Sequence, residues 1–125
     1  MVKAPLVVPD AAFGEAFLKL LDEAEYPLTV ALWLKEHDEW TLILGTPLYD
    51  EIGQQQAYIR LRNALSVDGR VPVSDLPVRL EGQSNPLIKE LRQIFGKTAS
   101  VEGTRLGGQR IGGHWIEDGY VYRIK

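Results

Sequence analysis

The sequence predicts a single α+β domain, in which a mainly antiparallel sheet is packed on one face by helices. Two observations carry this prediction. Three segments have apolar residues at helical spacing, and the segments between and after them are rich in β-branched and aromatic residues. The predicted order along residues 1–125 is α-β-β-α-β-α-β-β. Helices that each carry one apolar stripe are expected to cover one side of the sheet.

The first helix is predicted to begin after Pro9-Asp10. The Asp10 carboxylate is placed to accept hydrogen bonds from the free N–H groups of the first turn. Pro27 ends the segment, because proline has no N–H to donate. The apolar positions form one helical stripe made of Phe13, Ala16, Phe17, Leu20, Leu21 and Ala24.

A β-hairpin is predicted next, from residues 28–35 and 40–45 joined by the charged segment 36–39. Leucines occupy alternate positions of the first run, and Trp33 lies on the opposite face. Because both faces then carry apolar bulk, this pair is expected at the centre of the sheet.

The second helix is predicted from Glu51 to Ser66, after a turn at residues 46–50. Residues 67–75 combine turn residues with a proline and indicate a surface loop. The strand that follows, residues 76–81, is assigned to a sheet edge because Pro77 cannot donate to a ladder.

The third helix has a clear start signal. Asn85 is the expected N-cap, and Pro86 takes the first helical position, where its missing N–H costs nothing. Gly96 is expected to close the helix in the left-handed conformation. The predicted buried stripe is Leu87, Ile88, Leu91, Ile94 and Phe95.

Two registers compete for the last segment. Residues 101–106 are predicted to form a strand that pairs with a later one. A turn at Asp118-Gly119 would place Trp115 opposite Tyr122, whereas a turn at Gly112-Gly113 would leave 114–124 as one long strand. We favour the long strand, which would place on one face Ile116, Tyr120, Tyr122 and Ile124.

The ending Ile-Gly-Gly-His-Trp-Ile-Glu-Asp-Gly-Tyr-Val-Tyr-Arg-Ile, together with the order of elements, resembles a group of uncharacterised small bacterial proteins. Their ends read approximately Ile-Asn-Gly-x-x-Ile-Glu-Asp-Ala-Tyr-Ile-Tyr-Arg-Ile. An Ala at the position of Gly119 suits a continuous strand better than a turn. The resemblance covers about fifteen residues and implies a protein of the kind found on mobile bacterial gene cassettes. It implies no activity, cofactor or catalytic residue.

Composition narrows the class of protein. An apolar fraction of 45% and a charged fraction of 25% are those of globular domains. The absence of cysteine excludes disulfides and thiolate chemistry. The first ten residues do not read as a signal peptide, and no stretch approaches about 20 apolar residues. We therefore expect a cytoplasmic protein with no membrane partner.

The charge pattern does not favour nucleic acid. Residues 1–96 carry 9 basic and 14 acidic side chains, and residues 97–125 carry 5 and 3. An excess of two charges over the last segment is a weak electrostatic footprint, so no nucleic-acid partner is expected.

Local motifs predict no catalytic residue, metal or cofactor. Gly96-Lys97-Thr98 imitates the end of a phosphate-binding loop, but position 91 is Leu and no helix is predicted to follow. The two histidines, His37 and His114, are far apart in sequence, and a metal site needs three or four converging ligands.

The remaining candidate is a ligand-binding face near the C-terminus. Arginine forks bind carboxylate or phosphate groups, and tyrosines and a His–Asp pair lie among them. The candidate residues are Arg105, Arg110, Arg123, Tyr120, Tyr122, His114 and Asp118. The competing interpretation is that Glu117 or Asp118 forms a structural salt bridge with one of the arginines.

Two functions follow from these features. The favoured one is a non-enzymatic interaction module that forms a homodimer, since the Trp33 face and an exposed strand edge offer surface for a second copy. The alternative is a binding domain, or a minor enzyme, for an anionic small molecule held at the C-terminal Arg/Tyr face.

Overall fold

A computed structural model describes residues 11–66, 77–98 and 100–125. The fold class and the predicted order of elements are confirmed. The Asp10 cap and the loop at 67–75 lie outside the described residues. The described elements are α1 (Ala11–Glu23), β1 (Val30–Glu36), β2 (Glu39–Gly45), α2 (Pro47–Ser66), β3 (Val78–Glu81), α3 (Pro86–Phe95), β4 (Arg105–Leu106), β5 (Gln109–Ile111), β6 (His114–Ile116) and β7 (Asp118–Ile124).

The main sheet has the strand order β3-β2-β1-β7-β4 across the described residues. Only the pairing of β2 with β3 is parallel among the pairs seen there. The central position of β1 and the edge position of β3 agree with the sequence prediction. The β1–β2 connection is a two-residue turn in which His37 and Asp38 have φ angles of 51° and 65°, the left-handed geometry that matches strand twist.

Apolar layers cover both faces of the sheet. Helices α1 and α2 pack on the face that carries Ala31 and Trp33, while α3 packs on the face of Val30, Leu32 and Leu34. The sequence predicted all three helices on one face of the sheet, but α3 packs on the opposite face from α1 and α2. The alternation of β1 explains this difference, because each of its two apolar faces must be covered.

Trp33 is buried under the first layer. Its side chain is 2% exposed, and its Nε1 donates a hydrogen bond to the Tyr122 hydroxyl at 3.1 Å. A side chain at Gly14 of α1 would collide with that hydroxyl, so the helix passes directly over it. The Trp33 face is thus covered within the chain, contrary to the surface that the sequence analysis expected.

Helix α2 begins earlier than predicted. Thr46, which is fully buried, accepts a hydrogen bond from the N–H of Leu48 and starts the helix at Pro47. Gly53 interrupts it with φ 88° and ψ 163°, a conformation that is essentially restricted to glycine. The predicted start at Glu51 therefore lies just before a kink.

Helix α3 begins as predicted but ends in a different conformation from the one predicted. The Asn85 side chain accepts hydrogen bonds from the N–H groups of Leu87 and Ile88, and Pro86 takes the first turn. Gly96 has φ −60° and ψ −22°, so the expected left-handed closure is wrong. Ile94 is 50% exposed and does not belong to the buried stripe.

The C-terminal segment combines parts of both registers. Gly112-Gly113 forms the turn between β5 and β6, as favoured, and Asp118-Gly119 lies inside β7. The predicted long strand is divided at Glu117, because β6 pairs with β5 in a separate two-stranded sheet.

A bulge changes the faces of β7. Ala31 pairs with Arg123 and Leu32 with Val121, which leaves Tyr122 as the extra residue. Tyr120 and Tyr122 therefore pack in the α1–α2 layer, while Ile124 packs with Ile116 in the α3 layer. The predicted common face of these four residues is wrong.

Candidate anion-binding site

Arg105 and Asp118 form an ion pair on the sheet. Nη2 of Arg105 lies 2.7 and 2.8 Å from the two carboxylate oxygens of Asp118, and its Nε donates to the Gly119 carbonyl at 3.1 Å. The structural salt bridge proposed for Asp118 is confirmed. This pair is half-exposed, and such pairs contribute little to stability.

Arg123 is paired in the same way with α1. Its Nη1 and Nη2 donate to the two oxygens of Asp22 at 3.0 and 2.6 Å. The guanidinium hydrogen bond holds the pKa of the Asp22 carboxyl below its ordinary value. Beside it, the rings of Tyr120 and Tyr122 meet edge to face at 5.3 Å.

Arg110 and His114 lie apart from these residues. Both belong to the small sheet, whose Ile111 and Ile116 pack on the α3 side of the main sheet. Their polar contacts are local and exposed, to the carbonyls of Gly113 and Gly112. The seven sequence-predicted residues are thus divided between opposite sides of the main sheet.

Most charged side chains of the predicted C-terminal face are already paired with other residues of the chain. Two of its three guanidinium groups are neutralised by carboxylates of the chain itself. Glu117 accepts a hydrogen bond at 3.1 Å from the N–H of His37, so it holds the β1–β2 turn against the last strands. Little positive charge remains here for an external anion.

A second concentration of charge lies between α3 and the end of β7. A cleft of about 470 Å³ opens there. Four cations and two amides form most of its lining, and no carboxylate side chain is among the described lining residues. The lining is Gln83, Lys89, Arg92, Gln93, Gly96, Lys97 and Lys125. We call this the basic cleft.

The helical period of α3 creates one wall of the basic cleft. Lys89, Arg92, Gln93 and Gly96 follow the spacing i, i+3, i+4, i+7 and so share one face of the helix. The opposite face is anchored by Leu87, Ile88 and Leu91, each at most 1% exposed. Burial of the apolar stripe therefore fixes the direction in which the basic residues point.

Arg92 is held at the base of the cleft by two oxygen acceptors. Its Nε donates to the main-chain oxygen of Lys125 at 2.7 Å, and its Nη1 donates to the side-chain oxygen of Gln83 at 3.0 Å. The Gln83 amide in turn donates to Thr29 at 2.9 Å, and the Gln83 N–H donates to Asp50 at 2.6 Å. The guanidinium is therefore held in a fixed orientation at the base of the cleft.

In the described residues, no Asp or Glu side chain pairs with the cations of the cleft. Within the described part of the chain, Lys89, Arg92, Lys97 and Lys125 form no salt bridge with an Asp or Glu side chain. The C-terminal end of α3 attracts cations, but its dipole is equivalent to only about half a negative charge. Even with the Lys125 main-chain oxygen bound to Arg92, the four cationic side chains leave an excess of positive charge here, in a chain whose formal net charge is −3.

Two other cavities lined by described residues do not concentrate positive charge. One of about 480 Å³ between α1 and α2 has both Glu25 and Arg60 in its lining. Another, of about 630 Å³, is lined by Trp33, Trp40 and Pro77 with a single carboxylate. Neither concentrates one sign of charge as the basic cleft does.

The sequence held only part of the signal for the basic cleft. The polar face of the third helix was readable, because Lys89 and Arg92 stand opposite the apolar stripe. Lys97 follows the helix as an exposed residue, which agrees with the sequence-based rejection of a phosphate-binding loop. The approach of Lys125 and Gln83 depends on strand order, which no local pattern encodes.

Among the described residues, no group of three or more His, Asp or Glu side chains is arranged to hold a metal ion. In that same part of the chain, no helix has the length and apolar character needed to cross a membrane.

Comparison of the chain with protein-family models, curated proteins and solved structures finds no match. The resemblance to the uncharacterised bacterial group stays a prediction.

Proposed function

We propose that the protein is a non-enzymatic binding module that holds a small anion in the basic cleft. The observation that carries this proposal is the group of three lysines that line the cleft around a preoriented Arg92, without a carboxylate side chain among the described lining residues. A guanidinium fixed before binding loses little freedom when an anion arrives, and that favours affinity. The proposal keeps the anionic ligand of the sequence analysis and moves its site from the Arg/Tyr face to α3.

The lining supports binding rather than catalysis. Its described side chains are amides and cations, without the hydroxyl, imidazole or carboxylate that most often serves as nucleophile or general base. Both histidines lie elsewhere, His37 in the β1–β2 turn and His114 in β6. The cleft attracts and orients an anion and offers no evident group to transform it.

The test is calorimetric titration with citrate at low and at physiological ionic strength. We expect saturable binding that weakens as salt is added, because the attraction is between charges. Replacement of Arg92 by Gln is expected to weaken binding by about tenfold or more, the loss of one charge-assisted hydrogen bond.

Two further variants separate binding from folding. Lys97→Gln removes a cleft charge from an exposed residue with no hydrogen bond to lose in the described structure. Arg62→Gln removes a charge from the exposed side of α2, away from the cleft. Weaker binding in the first and unchanged binding in the second support the proposal. Equal losses in both would show non-specific attraction and contradict it.

Self-association is a second candidate, and one observation favours it. Trp115 is 56% exposed on β6, directly across from Arg110 of β5. Tryptophan and arginine are the side chains most enriched at the energetic centres of protein interfaces. Self-association by strand pairing at β3 has less support. The Leu80 N–H of this edge strand already donates a hydrogen bond to the Tyr58 hydroxyl at 2.9 Å.

A further inference from the structure

We infer that the basic cleft selects a compact polyanion, one that carries several carboxylate or phosphate groups and no aromatic base. This inference rests on the proposed function and narrows it to a class of ligand. It depends on the number of charges, the size of the cleft and the side chains that its lining lacks.

The number of charges sets the valence of the ligand. Four residues with cationic side chains line a cleft of about 470 Å³, a volume in the lower half of the range for small-molecule sites. A monovalent anion would leave most of this charge uncompensated. A ligand with three or more negative groups in a small volume balances it without reaching beyond the cleft.

The lining also limits what else the ligand carries. Its described residues include no aromatic and no branched apolar side chain. Nucleotide bases are usually held by stacking on aromatic rings or by apolar contacts. A nucleotide would therefore gain affinity here from its phosphates alone, and its base would remain in solvent.

The arrangement of the hydrogen-bond donors selects a ligand by the number of its negative groups rather than by its shape. Nε and Nη1 of Arg92 are already engaged by Lys125 and Gln83, so each two-pronged edge of the guanidinium, Nε with Nη2 and Nη1 with Nη2, has one nitrogen already occupied. The three lysines act as mobile point charges on flexible stems. The site accordingly accepts carboxylate and phosphate groups alike, and selects for how many of them are present.

The test compares four probes at constant ionic strength: citrate, tripolyphosphate, ATP without metal, and inorganic phosphate. We expect citrate or tripolyphosphate to bind about tenfold more tightly than inorganic phosphate, and ATP to bind no more tightly than tripolyphosphate. Tighter binding of citrate assigns a polycarboxylate, and tighter binding of tripolyphosphate assigns a condensed phosphate. Lys97→Gln and Arg92→Gln should weaken the preferred probe, while Arg62→Gln should not.

The possible failures are distinguishable. If ATP binds about tenfold more tightly than tripolyphosphate, or inorganic phosphate equals both polyanions, the inference of a compact polyanion is overturned and an anion site remains. If no probe saturates the protein at any ionic strength, the inference and the proposed function are both overturned. If Lys97→Gln and Arg92→Gln bind as the parent does, the site lies elsewhere and both are again wrong.

Discussion

At the scale of single residues, Gly112 shows how a local turn depends on a distant contact. Its φ is +58°, and a Cβ there would lie 2.6 Å from the backbone of Leu87. Gly108 has a similar φ of +65° but open space around it. A substitution at Gly108 therefore tests backbone strain alone, and one at Gly112 tests backbone strain together with a steric clash.

We predict that Gly112→Ala lowers the free energy of unfolding by more than about 2 kcal/mol, and that Gly108→Ala lowers it by about 1 kcal/mol. The left-handed conformation costs an alanine roughly 1–2 kcal/mol at either position, and only Gly112 adds a clash with α3. Urea unfolding measures both values. Equal losses would show that the β5–β6 turn does not press on α3.

Tyr26 supplies a pH-dependent prediction. Burial raises the pKa of its hydroxyl to about 12, and the neutral hydroxyl donates to the Ala57 carbonyl of α2 at 2.9 Å. A raised folded-state pKa gives stability that is fully present below the unfolded pKa, near 10, and is lost as the pH rises towards 12.

Tyr26→Phe should therefore cost about 1 kcal/mol at pH 7, through the lost hydrogen bond. The variant should also lose less stability than the parent between pH 10 and 12, because Phe has no proton to release. Parallel urea unfolding curves at pH 7 and pH 11 check this. An identical alkaline loss in both proteins would mean that Tyr26 ionises as easily in the folded state as in the unfolded chain.

The sequence predicted well those residues whose role is local. Asn85 and Pro86 start α3 as expected, because capping involves only the next three residues. The fate of Trp33 was missed, because its cover comes from helices elsewhere in the chain.

At the scale of elements, β7 connects β4 to the rest of the main sheet. It pairs with β1 on one side and with β4 on the other. Val121 is fully buried, and Ile124 and Ile116 are 5% and 2% exposed. The end of this strand also carries Lys125 into the basic cleft.

We predict that deletion of residues 115–125 abolishes cooperative folding. Loss of these three buried side chains alone costs roughly 1.5–3 kcal/mol each, a sum comparable to the total stability of a small domain. Thermal unfolding followed by circular dichroism is the measurement. A sharp transition within a few degrees of the intact protein would show that β7 is peripheral.

Elements were predictable where their pattern is continuous. The β1–β2 hairpin and the three helices each carry a local period, and all were found. The division of the last strand at Glu117 was not, because the partners of β6 and β7 lie in different sheets. The bulge at Tyr122, which reverses the faces of β7, likewise has no signature in sequence.

At the scale of the whole molecule, charge and apolar surface are placed on different elements. Four cationic residues line the basic cleft beside α3, whereas the most exposed large apolar side chain in the described residues is Trp115 on β6. Ligand binding and self-association would therefore use separate residues. The sequence predicted an anionic ligand but not this location, since the cleft joins residues within 83–97 to Lys125 at the end of β7.

Self-association predicts a particle of twice the single-chain mass in light scattering at micromolar concentration. Trp115→Ser should shift that particle towards the monomer. Ile94→Ser is the matched control, because Ile94 is similarly exposed, at 50%, but lies on α3. A parent protein with only the single-chain mass would contradict the homodimer.

The central claim is that the cationic side chains of the basic cleft bind anions, and amide chemical shifts test it most directly. In a ¹⁵N-labelled sample titrated with tripolyphosphate at physiological ionic strength, saturable shifts should concentrate at Gln83, at residues 89–97 and at Lys125. Shifts that concentrate instead at Arg105, Arg110 and Arg123, or that rise linearly without saturation across the whole surface, would contradict it.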